Sequence, residues 1–328
     1  MDIENIRKIA KVLNSRDNFL ITAHVNPEGD SIGSQLALYH ILKRIGKNVM
    51  IVNQDPVPNN LKFLPGADII SRNIPEGIED TIVIMLDCPV RERTGKVNRA
   101  LNEDQFVVNI DHHVSNEFFG DLNWVNKDAS SAGEMIYHLS CEMKIGIDKP
   151  LAMNIYAAIV TDTGMFNYDN TSSETHMIAG ELLKAGVPAG SMYNNLYEQR
   201  SPEEIIMLGK VLSTLTLVPG EDIAYMVLTK DMCGEERGAS IPTDGFINFA
   251  RSVKGVEVAV FFREGEEDIK KINVSFRSSE KVNVNQIASR FGGGGHAKAA
   301  GCVLLTGLEQ AKREILEAVR KAMNEADR

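Results

Sequence analysis

Apolar positions along the first half of this chain follow two rhythms. The runs "NFLITAHV", "KNVMIVNQD", "DTIVIMLDC" and "QFVVNIDHH" are nearly continuous apolar stretches of strand length, as expected of strands buried on both faces. The segments "SIGSQLALYHILKRIG", "SAGEMIYHLSCEM", "PLAMNIYAAIVTD" and "SSETHMIAGELLKAG" space their apolar residues for helices. That alternation predicts an α/β domain with a mostly parallel sheet covered on both faces. A charged helical stretch over 191–215, including "YEQRSPEEIIMLGKVL", reads as a helical linker. Beyond it, "DIAYMVLT", "VEVAVFFRE", "KINVSFRSS" and "GCVLLTG" are strands among fewer helices, and "LEQAKREILEAVRKAMNEADR" is a closing amphipathic helix. The predicted organisation is a first domain over 1–190, a linker over 191–215 and a smaller α+β domain over 216–328.

Composition narrows the function. With 328 residues and 43% hydrophobic content, the chain can bury two cores. A net charge of -10 and the lack of any Lys/Arg-rich tract argue against duplex DNA as a partner. Cys88, Cys141, Cys233 and Cys302 are scattered without paired spacing, so a reduced, cytoplasmic protein is expected. The start "MDIENIRKIAKVLNS" has no signal-peptide character, and no apolar run reaches membrane-spanning length.

The chemistry gathers where the first-domain strands end, the edge at which parallel sheets collect ligands. "HVNPEGDSIGS" places His24, Glu28 and Asp30 after one strand. Asp87 follows a second strand and Asp111-His112-His113 a third, while Asp162 lies in "IVTDTGMF". Alone, each acid reads as a helix cap or an Asx-turn, and His40, His138 and His176 read as ordinary core or surface residues. Together, carboxylates crowded at one edge repel unless cations lie between them. Carboxylates and imidazoles without thiolates favour Mn²⁺ or Mg²⁺, with Fe²⁺ or Co²⁺ as alternatives. Such a ligand set suits two ions sharing one carboxylate, an arrangement that promotes phosphoester hydrolysis.

"HVNPEGDSIGS", "LDCP" with Arg93 following, "NIDHHVSN" and "AAIVTDTGMF" resemble, in order, the four motifs of the DHH phosphoesterase superfamily. "GGGGHAKAAG", preceded by "VSFRSS", resembles the signature of the DHH-associated C-terminal domain. The resemblance implies that His24, Glu28 and Asp87 hold one Mn²⁺ ion. Asp30, Asp87, His112 and Asp162 would hold the other, with Mg²⁺ or Co²⁺ as alternatives. It further implies that Asp111 orients His112, and that His113 faces the substrate phosphate as hydrogen-bond donor or as acid for the leaving oxygen. Glu28 departs from the Asp common at its position.

In the second domain, four successive glycines would read as a flexible linker, except that "VNQIASRF" and "AAGCVLL" on either side look packed. Glycine N–H groups can form a nest for phosphate oxygens. The resemblance implies that Gly293, Gly294, Gly295, His296, Arg277 and Ser278 face the substrate, with Arg93 assisting from the first domain. A two-domain chain of this kind is similar to the nanoRNase/pAp-phosphatase group, which acts on short oligoribonucleotides and on 3′-phosphoadenosine 5′-phosphate (pAp). Soluble cyclic or linear dinucleotide phosphodiesterases are the alternative, and a non-catalytic nucleotide-binding regulator is the reading from a different class. The expected partner is short single-stranded RNA or a nucleotide, with no membrane; the oligomeric state stays open, a homodimer included.

Overall fold

The apolar runs of the first half fold as one parallel sheet. The structure is a computed structural model that describes residues 3–233, 243, 245–265 and 268–326, and it divides into two units, Met1–Gln199 and Arg200–Arg328. The first unit contains α1 (Ile3–Ser15), β1 (Asn18–Ala23), α2 (Gly29–Arg44), β2 (Asn48–Ile51), β3 (Ile82–Leu86), α3 (Lys96–Ala100), β4 (Val107–Asp111) and β5 (Leu122–Val125). Helices α4 (Ala132–Glu142), α5 (Lys149–Asp162), α6 (Ser173–Lys184) and α7 (Ala189–Tyr197) complete it. Strand order is β2-β1-β3-β4-β5, with every pairing parallel.

Both faces of this sheet are covered, but unequally. Phe19, Ile21, Ile84 and Ile110 pack on the side that α1, α2, α4 and α5 fill. Leu20, Val83, Met85 and Val107 meet only a smaller cluster with Val97 of α3 and Ile78. The helices on the thick side approach very closely. A Cβ on Gly33 would come within 2.5 Å of the Asn154 carbonyl oxygen, and one on Gly133 within 2.3 Å of the Ala158 Cβ. Glycine at those two positions lets α2 and α4 lie against α5. Asp148 caps α5 by accepting from the Leu151 N–H, and Ser172 with Thr175 forms a capping box on α6.

The second unit contains α8 (Pro202–Leu212), β6 (Thr216–Leu217), β7 (Ile223–Leu228), α9 (Lys230–Cys233), α10 (Phe246–Arg251), β8 (Val258–Glu264) and β9 (Lys271–Ser278). It continues with α11 (Val284–Arg290), β10 (Gly294–His296), β11 (Ala299–Leu305) and α12 (Leu308–Ala326). Its mixed sheet runs β10-β11-β9-β8-β7-β6, with only β7 and β8 parallel. One face packs Val260, Val274 and Phe276 against Ile287, Ile315 and Val319, and the other packs Ala259 and Phe261 against Met207 and Phe246. The stretch expected to form one linker helix is two helices, α7 and α8. The units divide between them.

Candidate metal centre

Each candidate ligand stands just past an element that aims it. The end of β1 is fixed by Asn53, whose Oδ1 accepts from the Ala23 N–H at 3.3 Å and which exchanges two 2.9 Å hydrogen bonds with Gln35. The next N–H but one, from Val25, is held by the Arg93 carbonyl at 2.7 Å. Between them His24 turns Nδ1 onto the Val25 carbonyl at 2.7 Å. A carbonyl only accepts, so Nδ1 carries a proton there and Nε2 faces Asp87 Oδ2 at 3.4 Å. Asp87 follows β3 with a left-handed φ of 51°. His112 follows β4 and brings its Nε2 to 3.5 Å from Asp87, 3.6 Å from Asp30 and 3.7 Å from Asp162.

Asp30 is held by a helix end. The backbone N–H groups of Ala132 and Gly133, in the first turn of α4, donate to its two oxygens at 2.7 and 2.8 Å. Those donors have no partner within their own helix, and the positive end of the helix dipole suits a carboxylate. Asp162 closes α5. Asp30, His112 and Asp162 form one group of donor atoms able to share an ion, and Asp87, His112 and His113 form another.

The electrostatics are those of too many carboxylates for the positive charge present. Burial, then the charge of Asp87, pushes Asp30 well above the ordinary carboxylate range, although His112 pulls the other way. Burial raises Asp162 to about 6 against the pull of His112. For Asp87 burial is outweighed by hydrogen bonds from His112 and His24 and by the charges of His24 and His113, so it lies well below its usual value. His112 is lowered by burial but raised further by Asp87, Asp162 and Asp30, and ends well above the imidazole norm. His24 is likewise raised, with the Asp87 hydrogen bond and charge prevailing over burial. Without a cation, this cluster borrows protons to hold itself together. Its nitrogen and oxygen donors, with no thiolate among them, fit a divalent ion.

Other predicted residues fall differently. Glu28 is the exposed N-cap position of α2 and belongs to neither donor group, although its charge reaches Asp162. Asp111 was expected to orient His112. The structure corrects this, because its Oδ1 accepts from His113 Nδ1 at 2.7 Å. In extended chain, side chains two apart share a side and neighbours do not, so residue 113 meets Asp111 while residue 112 turns to the metal cluster. Arg93 is exposed, and its charge is felt at His24.

In the second unit, Arg277 and Ser278 lie on opposite faces of β9. Arg277 is half-buried, and one of its N–H groups meets the Phe276 carbonyl, whereas Ser278 is 2% exposed and turns inward with Phe276. Ser278 therefore does not share a surface with Arg277, contrary to expectation. The glycines are not a loose loop either. A Cβ on Gly293 would lie 2.1 Å from the Gly301 oxygen, and Gly295 combines a φ of 148° with a blocking Ala299 oxygen at 2.5 Å. Both are required by the turn into β10 and its pairing with β11. Gly294 has nothing nearer than Asn285 Oδ1 at 3.7 Å. It sits opposite Gly301, which sits opposite Ser275, two rows from His296, Ala299 and Arg277. The side chain of His296 lies outside those described.

The sequence reading missed three polar residues. Ser31 donates to Asp87 Oδ2 at 2.7 Å and lies 2.9 Å from His24 Nε2. Asn116 donates to Asp111 Oδ2 at 2.6 Å and to Asn109 at 2.8 Å. Asn170 donates to Asp162 Oδ2 at 3.3 Å and to the Ser130 carbonyl at 2.9 Å. Ser31 and Asn116 stand inside the quoted motifs and carried a signal; Asn170, eight residues past Asp162, carried none.

Comparison with known proteins gives the family. The DHH family N-terminal domain model matches residues 18–159 and the DHHA1 domain model residues 238–325. The bifunctional oligoribonuclease and PAP phosphatase NrnA of Thermus thermophilus is 35% identical over 98% of this chain and 96% of its own. The Bacillus subtilis protein of the same name is 30% identical over 90% and 91%. Among solved structures, an exopolyphosphatase-related protein from Bacteroides fragilis superposes with a TM-score of 0.93 at 29% identity, covering 100% of both chains. With a parallel sheet whose strand ends converge on Asp30, Asp87, His112 and Asp162, and a DHHA1 domain following it, this chain belongs to the DHH family.

Proposed function

We propose that this chain is a two-metal phosphoesterase that hydrolyses short oligoribonucleotides and pAp, with Mn²⁺ as its working ion. The observation that carries the reading is the placing of three carboxylates, Asp30, Asp87 and Asp162, within 3.7 Å of one imidazole nitrogen. The relatives' names supply the substrates. Asp30, Asp87, His112 and Asp162 would hold one ion, and His24, Asp87 and Glu28 the other, with Asp87 common to both. The bound ions would supply Lewis acidity toward the oxygens of the reacting phosphate.

The chain's own groups do the rest. Ser31 holds one oxygen of Asp87, so that carboxylate keeps a fixed orientation. Asp111 accepts a hydrogen bond from the His113 Nδ1–H and thereby fixes which nitrogen the ring can turn to substrate. From that nitrogen, Nε2, the doubly protonated form of His113 donates to a phosphate oxygen or gives its proton to the departing one. Arg93 adds positive charge beside His24, and in the second unit Arg277 and the open backbone at Gly294 are of a kind that suits a phosphate or a base.

The test is turnover of pAp and of 5′-labelled oligoribonucleotides of increasing length at fixed Mn²⁺ and salt, with polyphosphate as a control. The expected result is Mn²⁺-dependent release of phosphate from pAp. Efficiency on RNA should fall beyond about five nucleotides, since a chain with a net charge of -10 offers a long strand little electrostatic track. Undiminished efficiency on long RNA, or turnover of polyphosphate alone, would overturn the proposal.

A further inference from the structure

A second polar cluster lies away from the ligand set. Glu134 on α4 is 4% exposed, and its Oε2 accepts from the Ser130 hydroxyl at 2.6 Å and from the Thr175 hydroxyl at 2.9 Å. With His138 one turn on, and with Glu174 of α6 at 3.3 Å from His138, it has the donors of a third cation site. Its hydrogen bonds point to a different role. Two hydroxyls already use one carboxylate oxygen, and both lead back toward the metal centre.

The first path runs through Ser130. The Ser130 hydroxyl is tied to Glu134 while its carbonyl accepts from Asn170, whose amide also reaches Asp162 Oδ2. The second path is α4 itself. Ser131 caps the helix by accepting from the Glu134 N–H at 3.0 Å, which leaves the Ala132 and Gly133 N–H groups for Asp30. In an ordinary capping box the third-position Glu reaches back to the cap residue's N–H. Here it reaches one residue further, to the Ser130 hydroxyl, and across to Thr175 at the start of α6. Both carboxylates of the Asp30–His112–Asp162 group are therefore aimed by segments that Glu134 ties together.

We infer that Glu134 is a positioning residue for the ion held by Asp30, His112 and Asp162, an inference that rests on the metal-site reading above. It orders the α4 start and the Ser130–Asn170 link, and it touches neither ion nor substrate. A partner of this kind, one layer behind the ligands, typically changes metal affinity by about ten- to a hundredfold when removed.

The test is calorimetric titration of Mn²⁺ into the full chain. The parent should bind two ions per chain. Glu134→Ala should weaken one of them about ten- to a hundredfold and leave the other unchanged. Glu134→Gln keeps an acceptor oxygen at the same place and should restore most of the loss. Asn170→Ala, which cuts only the Asp162 arm, should weaken the same ion and decides the matter if Glu134→Ala does not fold. His138→Ala should leave both ions in place. Parental affinity for both ions in Glu134→Ala, or in Asn170→Ala where that variant decides, would overturn the inference. So would loss of an ion in His138→Ala, because the second cluster would then itself be a cation site. A parent that binds no Mn²⁺ would instead overturn the metal-site reading, and this inference with it.

Discussion

Replacing Asp111 by Asn tests the least expected contact in the centre. Asp111 is fully buried, accepts from His113 Nδ1 at 2.7 Å and accepts from Asn116 Nδ2 at 2.6 Å. An Asn has the same shape but only one accepting oxygen. If that oxygen stays with Asn116, the new amide N–H faces His113 Nδ1, which must then accept, so the ring is left neutral with its one proton on Nε2 and is a poor acid. The other amide orientation sets two N–H groups against each other at Asn116. Losing a charge-assisted bond costs about 1.5–3 kcal/mol, which a core of this size can carry, so the variant should fold. It should lose about 10²- to 10⁴-fold in kcat on pAp and dinucleotides, the usual contribution of a positioned acid. A chromogenic diester whose leaving group needs no proton should be nearly spared. Nitrogen-detected NMR of the His113 ring should report the changed tautomer. Equal losses on both substrates would refute the assignment of acid to His113 and leave it a ground-state hydrogen-bond donor. No loss on either would remove the Asp111–His113 pair from the chemistry.

Mn²⁺ affinity should rise with pH through about 6, since Asp162 holds a proton below that value and Asp30 also lies above the ordinary range. Ligation displaces those protons, so calorimetry should show roughly tenfold weaker binding per unit of falling pH for each proton released. A pH-independent affinity between 5 and 7 would contradict the crowding of these carboxylates. Gly294→Ala should keep the thermal midpoint within a few degrees, whereas Gly295→Ala should lower it clearly, because only the latter meets a backbone oxygen; equal midpoints in a melting assay would show that the turn gives way. Arg277→Ala should raise KM for pAp about ten- to a hundredfold while leaving a small chromogenic diester unaffected, and equal damage to both would mean that Arg277 shapes the fold instead.

What the sequence made legible were long patterns and local motifs. Continuous apolar runs mark β1, β3 and β4, because a strand buried on both faces has no polar side to disguise it. The four-residue β5 is partly exposed at three of its positions and shows no such run, so it escaped. His24, Asp30, Asp87, His112 and Asp162 were readable because each stands directly at an element's end. Which side chain touches which was less readable. The Asp111–His113 pairing follows from the alternation of an extended chain, and the resemblance alone pointed to the wrong histidine. The unequal covering of the sheet was invisible, because a helix's apolar stripe does not say which face of the sheet it will cover. Ser278 shows the same limit in the second unit, since adjacent residues of a motif lie on opposite faces of a strand.

The backbone at Asp87 has a bearing on how this protein can change. A φ of 51° is a conformation that glycine adopts freely and most other residues resist by roughly 1–2 kcal/mol. The same residue is buried among like charges from Asp30 and Asp162. Glycine at position 87 would relieve the backbone cost but would strip Ser31, His24 and His112 of the carboxylate they face, and a carboxyl held well below its usual value is one the fold stabilises, so the metal-free chain should lose melting temperature at neutral pH. Directed evolution for heat tolerance would therefore tend to keep this aspartate even without a turnover screen. Stability and activity pull the same way at this codon, and efforts to harden the enzyme should search elsewhere.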